Sequence, residues 1–231
     1  MRNGPATRRR QAVRGSVLAA TTLALALTLA TSAGALASGH SSPVSPSGSV
    51  AGQPYAYYLQ QAWSKWFSAP SPGPSACQTT TVGHTSVVLV EDIKGGKSSC
   101  SAKAGQPIFV NELGKECAAI PGQHNGYGTS DSDLQQCARA KVEAALISVY
   151  IDGKRLSDFG KYYWKQATAF TTAVGSGRFK GYNQSTTRAS AWGWSLLFKS
   201  LPKGNHTIQC NARYRASKKT EFTSTVKVHV S

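Results

Sequence analysis

The sequence lacks the short motifs that mark the common catalytic and metal-binding sites. It contains no Cys-x-x-Cys, no His-Glu-x-x-His, no Gly-x-Ser-x-Gly and no phosphate-binding loop of the P-loop type. The histidines are widely separated, so a histidine metal cluster would form only through folding; they are His40, His84, His124, His206 and His229. These absences make an enzyme the less expected class, and they predict no cofactor and no metal site.

Acidic residues are also scarce, since 10 Asp and Glu stand against 26 Lys and Arg, for a formal net charge of +16. Such a balance favours anionic partners, among them nucleic acid, anionic wall polymers and membrane surfaces. The cations are scattered along the chain, and a charged surface without a specific partner explains the composition equally well. Asp152 and Asp158 are the closest carboxylates on the central hairpin, where turn chemistry already explains Asp152.

The first 37 residues have the pattern of a signal peptide. Arginines without any acidic residue precede the apolar run Val17–Ala30, and Ala35-Leu36-Ala37 is a small-x-small cleavage pattern. The run is short for a bilayer span, although an uncleaved anchor is the alternative. Cleavage would remove five of the 26 basic residues and none of the ten acidic ones, leaving 21 basic residues and a net charge near +11. We therefore expect a secreted, extracellular or wall-associated bacterial protein with no membrane span after cleavage.

The remaining chain predicts a linker followed by one domain. Residues 38–54 are rich in Ser, Pro and Gly and predict a flexible linker, and residues 55–231 predict a single domain. Within it, Tyr55–Phe67 has an apolar stripe at helical spacing. A second, short helix is expected from about Asp131 to Ala145, with Ser130 as its N-cap.

Alternating apolar residues predict that most of this domain is β-structure. Ala144–Leu156 reads as a strand and an Asp152-Gly153 hairpin turn, and Trp194–Tyr214 reads as a second hairpin. Each hairpin has one apolar face that needs a covering layer. We therefore predict an antiparallel β-sandwich, Ig-like or jelly-roll-like, with two helices.

The five cysteines of an exported chain indicate disulfides with one thiol left over. Several pairings are open. We favour Cys77 with Cys100, across the ends of the first hairpin, and Cys117 with Cys137, between a Gly-rich loop and the second helix. Cys210 then remains as a thiol on an inward strand face. A Cys210–His206 dyad is disfavoured, because residues four apart on a strand are separated by about 13 Å.

Aromatic and basic residues cluster in the second half of the chain, where they predict a ligand-binding surface. Aromatic rings beside cations can stack on sugars or bases while the cations hold an anionic backbone. The alternative is that at least half of the rings belong to the core, which we favour for Trp194 and leave open for Trp192. The predicted binding residues are Tyr162, Tyr163, Trp164, Lys165, Arg178, Lys180 and Trp192.

The chain also resembles a family of secreted bacterial proteins, common in actinomycete-like genomes, to which no function is assigned. The resemblance spans Trp63 to Cys210. Its most specific motif is Leu201-Pro202-x-Gly204-x-His206-Thr207-Ile208, and the others are Trp63-x-x-Trp66, Cys77, Cys100, Ala104-Gly105-x-Pro107-Ile108-Phe109, Glu116-Cys117 and Val149-x-Ile151-Asp152-Gly153. The chain departs from the family at Cys77–Val90, where a Thr-rich segment replaces the Asp, Gly-Gln and Trp positions that are expected. The resemblance implies an exported β-sandwich-like domain with two disulfides, and it implies no activity, cofactor or catalytic residue.

Together these features predict a secreted, non-enzymatic domain that binds an extracellular anionic polymer or a glycan surface. Nucleic acid is expected to bind only non-specifically. The alternative is a secreted hydrolase acting on wall or other polymeric substrate, with an acidic pair that the sequence does not reveal.

Overall fold

The computed structural model describes residues 42–70, 75–91, 95–121, 128–143, 145–157, 159, 168–214 and 222–231. The helices are α1 (Tyr55–Ser68) and α2 (Asp131–Glu143). The strands are β1 (Ser49–Val50), β2 (Gln53–Pro54), β3 (Cys77–Val82), β4 (Thr85–Glu91), β5 (Gly96–Ala102), β6 (Ile108–Ala118), β7 (Ala145–Ile151), β8 (Lys154–Arg155), β9 (Thr168–Ala173), β10 (Thr186–Phe198), β11 (Gly204–Tyr214) and β12 (Phe222–Val230).

Most of these strands form two five-stranded sheets, and β1 and β2 form a small ribbon. Sheet I has the order β3-β4-β6-β10-β9, and sheet II has the order β5-β12-β11-β7-β8. The predicted mostly-β domain with two helices is confirmed. The expectation of purely antiparallel pairing is wrong, because β4 pairs with β6 and β5 pairs with β12 in parallel. Both parallel pairs join strands that a long connection separates, so no local sequence signal marks them.

The two sheets share one core, and α1 covers a second core on the other face of sheet I. On β4, Val88 and Val90 belong to the core shared with sheet II. Val87 and Leu89 point the opposite way and pack with α1. A strand that is buried on both faces reads as a continuous apolar run, which is why β4 contains Val-Val-Leu-Val instead of alternating with polar residues.

The helix α1 matches the predicted Tyr55–Phe67 closely, and it also holds the segment before it in place. Tyr55 donates a hydrogen bond to the carbonyl of Val44, and Tyr58 donates one to that of Val50 at 2.6 Å. Burial raises the pKa of Tyr58 to about 12, so its hydroxyl keeps the proton that it donates. The described part of the predicted linker, residues 42–54, is therefore docked and not a flexible tether, since two of its carbonyls are bonded to buried tyrosine hydroxyls.

The second helix begins where its cap predicts. Ser130 Oγ accepts the backbone N–H of Asp133 at 3.2 Å and donates to its Oδ2 at 2.6 Å, a reciprocal cap of the first turn. The predicted disulfide between Cys117 of β6 and Cys137 is present, with 6.0 Å between the Cα atoms. It fixes α2 against sheet I.

Two predictions about the hairpins have different outcomes. The Asp152-Gly153 turn is confirmed, with φ angles of 50° and 75° between the paired residues Ile151 and Lys154. The hairpin predicted within Trp194–Tyr214 is wrong, because β10 lies in sheet I and β11 in sheet II. Leu201, in the connection between them, is buried in the core between the sheets, so this segment crosses from one layer to the other.

The first disulfide also connects the layers. Cys77 is bonded to Cys100 as predicted, with 5.7 Å between the Cα atoms. Cys77 lies on β3 of sheet I and Cys100 on β5 of sheet II, so the bond joins the two sheets and does not close the first hairpin. Cys210 lies outside both disulfides and is buried in the shared core.

Candidate functional site

The structure does not assemble the predicted aromatic and basic surface from the residues that it describes. Tyr162, Tyr163, Trp164 and Lys165 lie outside the described residues. Of the other three, Lys180 is exposed, Arg178 is half-buried and Trp192 is buried. Arg178 and Trp192 both pack against other side chains of the domain.

Trp192 is part of a small core under α2, so its prediction as a stacking platform is wrong. Its side chain is 8% exposed and packs with Leu134, Ala138 and Val142. The guanidinium of Arg139 lies 5.3 Å from the ring centroid and covers it further. No ring face of Trp192 is left for a sugar or a base.

Trp194 takes part in packing, as the sequence suggested. Its ring stacks on Phe159 with 5.5 Å between centroids, and its Nε1 donates to the carbonyl of Val142 at 3.2 Å. This hydrogen bond connects β10 to the end of α2. The ring therefore has a structural role where the core between the sheets meets the small core under α2.

Arg178 packs against α1. Its guanidinium lies 4.0 Å from the ring centroid of Trp66 and 6.0 Å from that of Phe179. Desolvation lowers the pKa of Arg178, and the charge of Glu116 opposes that shift. The side chain thus attaches its loop to the helix by a cation–π contact.

The Asp152-Gly153 turn is joined to β11 by a histidine. Asp152 Oδ1 accepts the backbone N–H of Thr207 at 2.7 Å, and its Oδ2 lies 2.9 Å from His206 Nδ1. The other ring nitrogen of His206 lies 2.8 Å from the carbonyl oxygen of Pro202. Both ring nitrogens of His206 are thus bonded to neighbouring loop residues, Asp152 and Pro202. These bonds give His206 a structural role that needs no dyad with Cys210. Asp158, the other carboxylate considered on this hairpin, lies outside the described residues.

Replacing Asp152 by alanine is expected to lower the free energy of unfolding by about 2 kcal/mol. The change removes two hydrogen bonds and places alanine at a φ of 50°, which a side chain without local hydrogen bonds tolerates poorly. Urea unfolding measures this. Asp152→Asn is the control, since asparagine adopts this φ and keeps an acceptor for Thr207. A loss as large in Asp152→Asn would show that the charge, and not the turn geometry, stabilises the segment.

A buried carboxyl lies at the end of β4, on the face of sheet I that α1 covers. Glu91 is 8% exposed, and burial raises its pKa from 4.5 to about 8. A hydrogen bond with Asn111 opposes the shift and the charge of Glu116 adds to it. Asn111 fits because two glycines face each other beside it: a Cβ on Gly114 or Gly193 would lie 2.4 or 2.5 Å from its amide. The sequence signal that could have revealed this buried carboxyl was the position of Glu91 directly after the apolar run Val87–Val90.

The outer face of sheet II is a polar surface that contains cations and no carboxylate among its described positions. Inward and outward residues alternate on β11 and β12, so the outward set follows from burial and register. The cations of this face are Lys97, Arg155, Arg213 and Lys227, and the other outward residues are Ser99, Ser101, Leu146, Ser148, Tyr150, Asn205, Thr207, Gln209, Asn211, Thr223, Thr225 and His229.

The register places five outward side chains in one line across all five strands. Lys97 pairs with Thr225, Thr225 with Gln209, Gln209 with Tyr150, and Tyr150 with Arg155. We call this line the basic row. Adjacent strands lie about 4.8 Å apart, so the backbones of the two terminal residues are separated by about 19 Å. Lys227 belongs to the neighbouring line, opposite Ser99 and Thr207.

Two further findings concern only the described residues. Nowhere among them do three or more His, Cys, Asp or Glu side chains gather into a group that could hold a metal ion. No helix that they form is both long enough and apolar enough to cross a bilayer.

The comparisons with known proteins show only remote structural likeness. No protein-family model matches the chain, and no curated protein matches it. One similar solved structure is the cysteine protease inhibitor EhICP2 from Entamoeba histolytica, with 12% identity and a TM-score of 0.28, covering 63% of this chain and 96% of that chain. Another is the solution structure of amebosin, with 12% identity, a TM-score of 0.23 and the same coverage. TM-scores this low support no argument about fold or function.

Proposed function

We propose that this protein is a non-enzymatic binding domain that attaches to an extracellular anionic polymer. The observation that supports this proposal is an excess of positive charge at the surface. Exposed cations occur throughout the described chain: Lys97, Lys103, Arg139, Lys154, Arg155, Lys180, Lys199, Lys203, Arg213 and Lys227. Few described carboxylates balance them, so the surface attracts polyanions.

The described carboxylates are mostly buried or already engaged. Glu91 and Glu112 are buried. Asp131 forms an ion pair with Arg188 at 2.5 Å, and Glu143 forms one with Arg139 at 2.8 Å. These four carboxylates therefore screen the other exposed cations little.

The setting of the proposed function is outside the cell. Two disulfides indicate an oxidising environment, as extracellular proteins have. The proposal includes export by the segment of residues 1–37, membership of the resembled secreted family, and a β-sandwich arrangement of the two sheets. The core that both sheets share supports the sandwich.

A secreted hydrolase is the competing hypothesis, and the raised pKa of Glu91 beside Glu116 is the observation in its favour. Glu91 is only 8% exposed, under α1, where a polymer would not reach it. An open depression of about 570 Å³ lies beside the docked N-terminal segment, but serine hydroxyls and Lys199 supply its polar lining, without a carboxylate or histidine. We therefore place binding first.

Retention of the purified protein on solid polymers tests this proposal. The supports are cross-linked polygalacturonate, neutral cellulose and DNA-cellulose, each eluted with increasing sodium chloride. We expect retention on the polyanions that weakens as salt rises, because exposed ionic contacts are screened within about 8 Å at physiological salt. Neutral cellulose is the matched control. Passage through every column at low salt would reject the binding function.

A further inference from the structure

We propose that the basic row on sheet II is the binding surface, and that its ligand is an acidic polysaccharide lying across the strands. This inference rests on the proposed function and names its surface and its ligand class. The row has a cation at each end, Lys97 and Arg155, and three hydrogen-bonding side chains between them. Linear acidic glycans combine these two chemistries, since anionic groups recur along a chain that is rich in hydroxyls.

The charges of this face complement such a ligand. The described outward positions of sheet II include no Asp or Glu. The nearest carboxylate in the register is Asp152, which accepts from Thr207 and contacts His206. Lys227, in the neighbouring line, adds a third cation between the two terminal ones. A polyanion on this face would meet a cation at each end of the row and no negative charge at the described outward positions.

The middle of the row is held in place before binding. Gln209 Nε2 donates to Asn211 Oδ1 at 3.3 Å, and Thr223 Oγ1 donates to the same oxygen at 3.2 Å. Thr225, Gln209 and Tyr150 are all half-buried between neighbouring strands. Side chains that are already ordered lose little entropy on binding, so even modest hydrogen bonds to sugar hydroxyls contribute to affinity.

The same surface fits nucleic acid less well. Single-stranded nucleic acids are held by successive aromatic rings on which bases stack. Among the described outward positions of sheet II, Tyr150 on β7 and His229 on β12 are the aromatic side chains, and β11 lies between their strands. A hydroxyl and amide surface between cations is better matched to sugar than to bases.

Two variants with the same charge change test the surface. Lys97→Gln/Arg155→Gln/Lys227→Gln removes the two terminal charges of the row and the charge of Lys227 in the neighbouring line. Lys103→Gln/Lys180→Gln/Lys203→Gln removes three exposed charges that lie outside the strands of sheet II. Affinity for soluble polygalacturonate is measured by calorimetry at one low salt concentration. We expect at least about a tenfold loss in the first variant and less than about threefold in the second, because ionic contacts act locally. Equal losses would overturn the assignment of the surface while leaving polyanion binding intact.

A third variant and two other probes test the ligand class. Gln209→Ala changes no charge, and we expect about threefold weaker binding to polygalacturonate with unchanged binding to poly-L-glutamate, which has no hydroxyls. Wild-type affinity as high for poly-L-glutamate or for single-stranded DNA would overturn the glycan assignment. If the wild-type protein binds none of the three polymers, the proposed function itself fails.

Discussion

Replacing Trp63 by alanine is expected to lower the free energy of unfolding by about 3–5 kcal/mol, the range for buried tryptophan truncations. Trp63 is fully buried between α1 and the centre of sheet I. A Cβ on Gly114 would lie 2.9 Å from its Cζ2 atom, so the ring rests directly on the backbone of β6. Truncation would leave a cavity that the paired glycines beneath cannot fill. Guanidinium unfolding followed by circular dichroism measures the loss.

Trp66→Ala is the matched control, one helical turn away. Trp66 is half-buried and contacts Trp63 edge to face, with 5.6 Å between centroids. Its removal costs ring contacts with Trp63, Phe67 and Phe179 and the cation–π contact with Arg178. We expect about 2 kcal/mol, because a half-buried ring leaves a smaller cavity than a fully buried one. A loss in Trp66→Ala as large as in Trp63→Ala would contradict the view that burial on sheet I determines the effect.

The contrast between these tryptophans shows what the sequence could predict. A helix that docks one face repeats its apolar residues at a fixed spacing, so Tyr55–Phe67 revealed both α1 and its buried side. The caps and turns at Ser130 and Asp152 are equally local, because each depends on a few neighbouring residues. Both were predicted correctly for that reason.

Layer assignment is not local, and the errors arose there. The strands β10 and β11 have a short polar link between alternating segments, which is also how a hairpin looks in sequence. What separates them is the burial of Leu201 between the sheets, a property of the assembled molecule. The same holds for Trp192, whose burial depends on α2 and on the disulfide that fixes it.

The candidate site shows the same limit. Alternation in β11 and β12 indicates which of their residues point outward. It does not indicate that Lys97 and Arg155 terminate one line of side chains, because that requires the order and register of five strands. A parallel pairing between β5 and β12 brings Lys97 into this line, and parallel pairings have no signature in the local sequence.

The second large expected effect is a fall in the free energy of unfolding as the pH rises. Because the folded-state pKa of Glu91 is about 8 and its ordinary value is 4.5, the folded protein holds a proton there that the unfolded chain releases between these values. This stabilisation is fully present below pH 4.5 and is lost as the pH rises through 8. The loss amounts to about 5 kcal/mol, since the two pKa values differ by about 3.5 and each pKa unit corresponds to 1.36 kcal/mol.

Glu91→Gln isolates this contribution, because glutamine resembles the neutral carboxyl and does not ionise. We expect the variant and the wild type to have similar stability at pH 4, and the variant to be more stable above pH 8. Urea unfolding at intervals from pH 4 to pH 9 measures the difference. Glu116→Gln should diminish the wild-type decline only slightly, since the charge of Glu116 is a smaller cause of the shift than burial. A difference between Glu91→Gln and wild type that stays constant over this range would show that Glu91 ionises normally, and that α1 does not seal it from water.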